Sequence, residues 1–144
     1  MDKALGLDLG KKTLGIAFSD VLGFVHGLET FTFKSFDFES AANKVMEVAK
    51  EKQITNIALG YPLHLNGDPS MMSQNVLNFK ELLLQKNKKF VIELIDERLS
   101  TVEAHNTLSE LDVSHEQRKQ RVDTVAACEI LDTYIRRKNN ARWI

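Results

Sequence analysis

Several residue types are scarce in this chain, and each scarcity excludes a class of protein. Cys128 is the single cysteine in 144 residues, so no disulfide can form within the chain and a reducing, cytoplasmic setting is expected. There are two prolines and no low-complexity stretch, so nothing in the sequence indicates a linker. No apolar run approaches the ~20 residues that span a bilayer, and a start at Asp2 and Lys3 predicts no signal peptide. We therefore expect one domain over residues 1–144 that has no contact with a membrane.

Zinc ligands are equally scarce. The four histidines show no close ligand spacing, and Cys128 has no second thiol to bind with it. A zinc site is therefore not expected.

Excess charge is small overall but unevenly distributed. The formal net charge is −1, yet the segment from residue 118 to 144 holds seven basic and three acidic residues. Such a segment is either the solvated face of a helix with a frayed tail or a strip that contacts phosphates, and the sequence leaves both interpretations open.

Hydrophobic periodicity predicts an alternation of strands and helices. The first third reads as three strands with short connections, which predicts an antiparallel meander. Later apolar stripes at i, i+3, i+4, i+7 spacing predict helices separated by short buried strands, which requires a parallel part of the sheet. The predicted strands are 3–9, 13–19, 26–34, 54–60 and 90–95, and the predicted helices are 38–53, 72–83, one opening at Ser100 and one over 116–138. The expected fold is α/β, with a five-stranded mixed sheet and helices on both faces.

Three acidic residues stand in distinctive surroundings. Asp8 shares a strand face with Ala4 and Gly6, Glu97 lies just past the fifth strand, and Asp123 lies on an apolar helical stripe. Carboxylates that converge repel one another unless a cation joins them, and carboxylate oxygens suit Mg²⁺ or Mn²⁺. The sequence therefore predicts a divalent-metal site, although each acid alone has an ordinary structural explanation as a turn, a surface charge or an ion pair.

Four motifs, taken in order, resemble the YqgF/RuvX family. They are Gly6-Leu7-Asp8-Leu9-Gly10-Lys11-Lys12-Thr13-Leu14-Gly15-Ile16-Ala17, Gly60-Tyr61-Pro62-Leu63 with Asn66-Gly67, Asp96-Glu97-Arg98-Leu99-Ser100-Thr101-Val102-Glu103-Ala104, and Val122-Asp123-Thr124-Val125-Ala126-Ala127. The resemblance covers nearly the whole chain, from about Lys3 to Tyr134. It implies a ribonuclease H-like fold and a nuclease that uses two Mg²⁺ or Mn²⁺ ions, bound by Asp8, Glu97 and Asp123.

The resemblance also suggests which residues meet the substrate. Arg98 is expected to contact a phosphate, and Arg121 keeps a charge where many members have Lys. The loop from Tyr61 to Gly67, with His64 and Asn66, is similar to the family's substrate-side loop, although His64 stands where members usually have Asn and Tyr61 where Leu is common. An imidazole in place of an amide changes the available hydrogen bonds. Beside Asp8, the loop lysines Lys11 and Lys12 are expected to hold the backbone of the nucleic acid.

Hydrolysis of structured nucleic acid is the leading functional expectation, with processing of the 5′ end of pre-16S rRNA as the favoured reaction and a possible association with ribosomes. The alternatives are a Holliday junction resolvase, which needs a two-fold dimer, and a module that binds nucleic acid without cutting it. The chain is expected to be a monomer or a homodimer. An actin-like ATPase shares the Asp-x-Gly loop but needs two such domains, and 144 residues supply one.

Four phenylalanines cluster between residues 31 and 38. Base stacking is one interpretation of the cluster formed by Phe31, Phe33, Phe36 and Phe38. Core packing of the cluster is favoured, because Phe31 and Phe33 share a strand face and Phe38 begins a helical stripe.

Overall fold

The fold is that of a five-stranded mixed sheet covered by helices on both faces. In this computed structural model the residues described are 2–64, 66–97 and 115–143, and within the last helix the described side chains are those of 124–140. The strands are β1 (Ala4–Leu9), β2 (Thr13–Ser19), β3 (Val25–Thr32), β4 (Asn56–Tyr61) and β5 (Val91–Asp96); the helices are α1 (Phe38–Lys52), α2 (Ser73–Lys86) and α3 (His115–Trp143). The helix predicted to open at Ser100 lies outside the described residues.

The sheet has the order β3-β2-β1-β4-β5. The strands β1, β2 and β3 pair antiparallel as a meander, whereas β4 runs parallel to both β1 and β5. The α/β fold class and the mixed sheet predicted from the sequence are therefore confirmed. Because β1, β4 and β5 are parallel, their carboxyl ends meet at one edge of the sheet, which we call the upper edge.

The two faces of the sheet carry side chains of very different size. One face presents Leu5, Leu7 and Leu9 of β1 to α1 and α2, and it forms the larger apolar core. The other face is lined by small residues, among them Ala4, Ala17 and Ala58, against which α3 packs. This difference follows from the alternation of side chains along β1, where leucines at odd positions face away from the alanine and glycine at even positions.

Gly6 allows α3 to lie very close to the sheet. A Cβ atom at this position would stand 2.5 Å from the carbonyl oxygen of Ala127 and 2.7 Å from the Cβ of Leu131. No side chain can be accommodated there without moving the helix backbone.

The first helix begins and ends much as its sequence predicts. Asp37 caps its N-terminus by accepting a hydrogen bond from the backbone N–H of Ser40, and Gln53 ends it in a left-handed conformation. Within the described ranges, no helix is both long and apolar enough to cross a membrane.

Candidate active site

Asp8 lies between two glycines of the neighbouring strands, and its side chain is half-buried. Asp8 pairs with Gly15 of β2, and on the other side the register of β1 with β4 brings Gly60 next to it. Asp8 points to the α3 face together with Ala4 and Gly6, since side chains alternate along a strand. A carboxylate flanked by two glycines, one strand residue from the upper edge, is accessible to a ligand that arrives at this edge.

Glu97 comes directly after β5 and folds back over β4. A Cβ atom built on Gly60 would collide with the Glu97 carboxyl group and would stand 2.6 Å from Cδ1 of Ile130. The Glu97 carboxyl group therefore packs directly against Gly60, in the space that a side chain at position 60 would fill. The glycine permits this contact because any larger residue would occupy the place of the carboxyl group.

The carboxyl groups of Glu97 and Asp8 contact each other through a hydrogen bond. Burial raises the pKa of Glu97 most, and the hydrogen bond and charge of Asp8, with a smaller effect from Asp96, raise it further, to about 10. Two carboxylates this close cannot both be charged unless something positive joins them, so one proton is shared when no cation is present. The structure thus brings together two of the three acids predicted to bind metal.

The third acid, Asp123, lies on α3 one helical turn before Ala127, the residue whose carbonyl oxygen lies over Gly6. Its side chain is outside the described residues. The neighbouring Thr124 forms a hydrogen bond with Thr30 of β3, with 3.2 Å between the two hydroxyl oxygens. Since Thr30 pairs with Gly15, and Gly15 with Asp8, this turn of α3 lies at the level of Asp8. The backbone of Asp123 therefore stands beside the row of residues that contains Asp8.

The donor set of the site suits a hard divalent cation. Carboxylate oxygens are the groups that Mg²⁺ and Mn²⁺ prefer, and the mutual repulsion of Asp8 and Glu97 is removed when a cation binds between them. Among the side chains that the structure describes, no group of three acids, histidines or cysteines could hold a metal ion. A third protein ligand for the Asp8–Glu97 pair would have to come from elsewhere, and Asp123 remains the predicted one.

Two of the predicted substrate-binding residues are exposed in the loop between β1 and β2. Lys11 and Lys12 are both exposed at the upper edge. Their backbone carbonyls accept hydrogen bonds from the N–H groups of Phe36 and Phe33, each at 2.8 Å. The loop that follows Asp8 is thereby tied to the segment between β3 and α1.

The loop after β4 holds itself together with its own polar groups. The amide of Asn66 donates to the Asp68 carboxylate at 3.0 Å, and its oxygen accepts from the Asp68 backbone N–H at 3.0 Å. Ser70 and Ser73 both donate to the carbonyl oxygen of Pro62, which fixes the loop to the start of α2. His64 is exposed at the tip of this loop. In this arrangement Asn66 shapes the loop, and a substrate contact of His64 or Asn66 remains a prediction.

Two predicted arginines cannot be placed. Arg98 and the side chain of Arg121 lie outside the described residues. Sequence reasoning missed the contribution of Gly15 and Gly60, which flank Asp8. Both glycines stood in recognised motifs, but their roles depend on the pairing of β1 with β2 and with β4, which no local pattern reveals.

Comparisons with known proteins identify the family of this chain. Residues 2–137 match the family described as "RuvX: Holliday junction resolvase". Proteins named "Putative pre-16S rRNA nuclease" from two strains of Staphylococcus aureus, RF122 / ET3-1 and JH9, are 36% identical over 134 residues, which covers 92% of this chain and 94% of each relative.

Solved structures of RuvC have a similar fold. T. thermophilus RuvC in complex with a Holliday junction substrate superposes with a TM-score of 0.59 at 13% identity, over 96% of this chain and 97% of that one. A second Thermus thermophilus RuvC structure superposes with the same TM-score at 10% identity, over 95% and 96% of the two chains. This similarity shows a ribonuclease H-like fold. Together with the sequence match, it establishes that this chain belongs to the RuvX family of nucleases.

Proposed function

We propose that residues 1–144 form one nuclease domain that hydrolyses phosphodiester bonds of structured nucleic acid, and that its substrate is the 5′ end of pre-16S rRNA. The observation that carries this proposal is the contact between the Asp8 and Glu97 carboxyl groups above Gly60, at the open upper edge of the sheet. The names of the Staphylococcus aureus relatives support the choice of RNA. Such a reaction belongs to the cytoplasm, where ribosomes are assembled.

The proposed enzyme is metal-dependent, with Asp8, Glu97 and Asp123 as the residues that would hold two Mg²⁺ or Mn²⁺ ions. When bound, such ions supply positive charge that favours attack by water on phosphorus and stabilises the leaving oxygen. The shared proton between Asp8 and Glu97 supports this assignment, because a cation would replace that proton and stabilise both carboxylates.

The remaining predicted residues bind the substrate. Lys11 and Lys12 meet the phosphate backbone next to the scissile bond, and Arg98 and Arg121 supply further positive charge. His64 and Asn66 contact the substrate from the loop after β4. Water attacks in line and leaves a 5′-phosphate and a 3′-hydroxyl end. The fold presents no dedicated element for reading bases among the described residues, so we assign specificity to the shape of the RNA.

The test is a cleavage assay with a fragment of the ribosomal RNA precursor, in Mg²⁺, in Mn²⁺ and in EDTA. We expect cleavage with either metal and none with the chelator. Asp8→Asn should lower the rate at least about 100-fold, because it removes a charge that the ions and the transition state need, yet it should leave RNA binding in place. Cleavage that persists in EDTA would contradict the metal mechanism, and equal cleavage by Asp8→Asn would point to a contaminating nuclease.

A second candidate function is resolution of four-way DNA junctions, which the family description favours. A resolvase cuts two opposed strands symmetrically and therefore acts as a two-fold dimer. A four-way junction in the same assay, with sedimentation to determine whether the protein is a monomer or a homodimer, separates the two substrates. Binding of either substrate without cleavage by the wild type would instead indicate a non-catalytic module that binds nucleic acid or ribosomes.

A further inference from the structure

The turn that leads into α1 contains an aromatic residue in a conformation that suits glycine. The backbone N–H of Asp37 donates to the carbonyl of Lys34 at 2.9 Å, which closes a four-residue turn, and Phe36 is the third residue of that turn with φ 63°. Turns that need a positive φ at the third position use Gly or Asn, since a side chain there is strained. A phenylalanine at such a position is a candidate for a function outside the folding of the turn.

The ring of Phe36 is exposed, unlike the rest of its aromatic cluster. Its exposed fraction is 55%, whereas Phe31, Phe33 and Phe38 are partly buried against the main core. The expectation from sequence that all four pack in the core is therefore wrong for Phe36. The ring still contacts Phe38 edge-on, with 6.0 Å between the ring centres, and Phe38 in turn packs against the buried Phe79. Phe36 is thus a ring held in place on one side and open to solvent on the other.

Three exposed lysines belong to the turn that carries this ring and to the loop that is hydrogen-bonded to it. Phe36 N–H donates to the carbonyl of Lys11, and Phe33 N–H to that of Lys12, so the turn and the β1–β2 loop form one surface. Lys34 is exposed in the same turn. Asp37 is the acid next to Phe36, and its carboxylate accepts hydrogen bonds from the backbone N–H and the hydroxyl of Ser40 at the start of α1. The surface therefore combines an exposed aromatic ring with three exposed lysines on adjoining backbone segments, while Asp37 is bonded to Ser40 and Glu39 is paired with Lys86.

This surface lies within reach of the candidate active site. Lys11 follows Asp8 by three residues, and each step between neighbouring Cα atoms is about 3.8 Å. The backbone hydrogen bond from Phe36 to Lys11 adds one further step, so the Cα atoms of Phe36 and Asp8 are at most about 17 Å apart. Stacked nucleotides rise about 3.4 Å each along one strand. Phe36 is therefore no more than about five nucleotides from a phosphate bound at Asp8.

We propose that Phe36 is a stacking platform for an unpaired base of the substrate, with Lys11, Lys12 and Lys34 binding the phosphates on either side. Aromatic rings among lysines are the combination by which proteins bind single strands, because every base has a face that stacks and every nucleotide carries a charge. The proposal rests on the proposed function and narrows its substrate class to nucleic acid with at least one unpaired nucleotide close to the cleavage position.

The first test measures binding in the Asp8→Asn background, so that cleavage does not interfere. The probe is an RNA of the precursor sequence that carries 2-aminopurine, whose fluorescence reports stacking, at successive positions up to five nucleotides from the cleavage site. Phe36→Asn removes the ring and suits the positive φ, so the protein folds. We expect it to weaken binding about 5- to 100-fold and to abolish the stacking signal, whereas Phe36→Trp should retain both.

The chain supplies a matched control. Phe24 is 64% exposed in the turn between β2 and β3, at the opposite edge of the sheet, so Phe24→Asn removes a ring of similar exposure far from Asp8. It should leave affinity and stacking signal unchanged. Unchanged affinity in Phe36→Asn, or an equal loss in Phe24→Asn, would overturn the proposal.

Fully paired RNA and a four-way DNA junction serve as further probes. The effect of Phe36→Asn should be absent with the paired duplex, and an equal loss there would overturn the role in stacking. A wild-type protein that binds the probe with a Phe36-dependent signal but does not cleave it would contradict the nuclease proposal and leave the platform supported. A wild-type protein that binds none of the probes would overturn both.

Discussion

At the scale of single residues, the pair formed by Asp8 and Glu97 determines how the protein responds to pH. The folded pKa of Glu97 lies far above its ordinary value of 4.5 because the side chain is buried next to another carboxyl group. Between these two values the folded protein binds more protons than the unfolded chain. The free energy of unfolding of the metal-free protein therefore falls as the pH rises.

This linkage predicts a difference between the wild type and Glu97→Gln. In EDTA, the melting temperature of the wild type should decrease by several degrees between pH 5 and pH 9, whereas that of Glu97→Gln should change less because the group no longer titrates. Calorimetry across this range checks the prediction. Added Mg²⁺ should raise the melting temperature of the wild type most at high pH, since the cation replaces the proton. Parallel curves for the two proteins in EDTA would contradict the account.

At the scale of elements, two glycines on the α3 face of the sheet, Gly6 and Gly60, have different roles, although substitution by alanine adds the same methyl group at each. At Gly6 the nearest atom is the backbone carbonyl of Ala127, which cannot move without the helix. At Gly60 the nearest atoms are the ends of the Glu97 and Ile130 side chains, which can turn away. The first glycine determines where α3 packs, and the second determines where a carboxylate lies.

Alanine at Gly6 should therefore affect mainly stability, whereas alanine at Gly60 should affect mainly the cleavage rate. Gly6→Ala should destabilise the fold by about 1–3 kcal/mol through overpacking. Gly60→Ala should cost less stability but should lower the cleavage rate about 100-fold, because a displacement of about 1 Å in a catalytic group is enough for such a loss. Thermal unfolding and cleavage rates measured on both variants check this. Each variant is the control for the other, and equal profiles would contradict the distinction.

What could be predicted from sequence was mostly local. The strands and α1 followed from periodicity, and α1 ends at Gln53 as expected. The acids were recognised because they stand in motifs, but their meeting depends on the parallel pairing of β1 with β4, about fifty residues apart in the chain. Phe36 was assigned to the core together with its cluster, on the strand and helix spacing of the other three phenylalanines. The turn that exposes it depends on hydrogen bonds to the distant Lys11 and Lys12 loop.

At the scale of the whole molecule, a net charge of −1 conceals a division of charge between regions. The acids of the site stand close together at the upper edge, and the exposed lysines of the β1–β2 loop stand beside them. A nucleic acid that approached this edge as proposed would meet the positive charge of Lys11, Lys12 and Lys34, and the proposed cations would neutralise the carboxylates and allow a phosphate to come near. Binding of substrate and binding of metal should therefore strengthen each other.

Each lysine that neutralises a phosphate contributes to the salt dependence of binding. A plot of log affinity against log salt concentration has a slope of about −0.7 to −0.9 for each phosphate contact. Lys11→Gln with Lys12→Gln should therefore reduce the steepness of that slope by about 1 to 2 units. Phe36→Asn should lower the affinity at every salt concentration and leave the slope unchanged, because stacking releases no counterions.

The matched control for this measurement is the second lysine pair in the chain. Lys88 and Lys89 are adjacent and exposed like the loop lysines, but they stand just before β5, at the opposite edge of the sheet from Asp8. Lys88→Gln with Lys89→Gln changes the net charge by the same amount. If the electrostatic field of the whole molecule determined binding, the slope of log affinity against log salt concentration would become shallower by the same amount in both double variants. If phosphates bind at the upper edge, only the Lys11 and Lys12 variant should lose it, and salt titrations of both variants distinguish the two results.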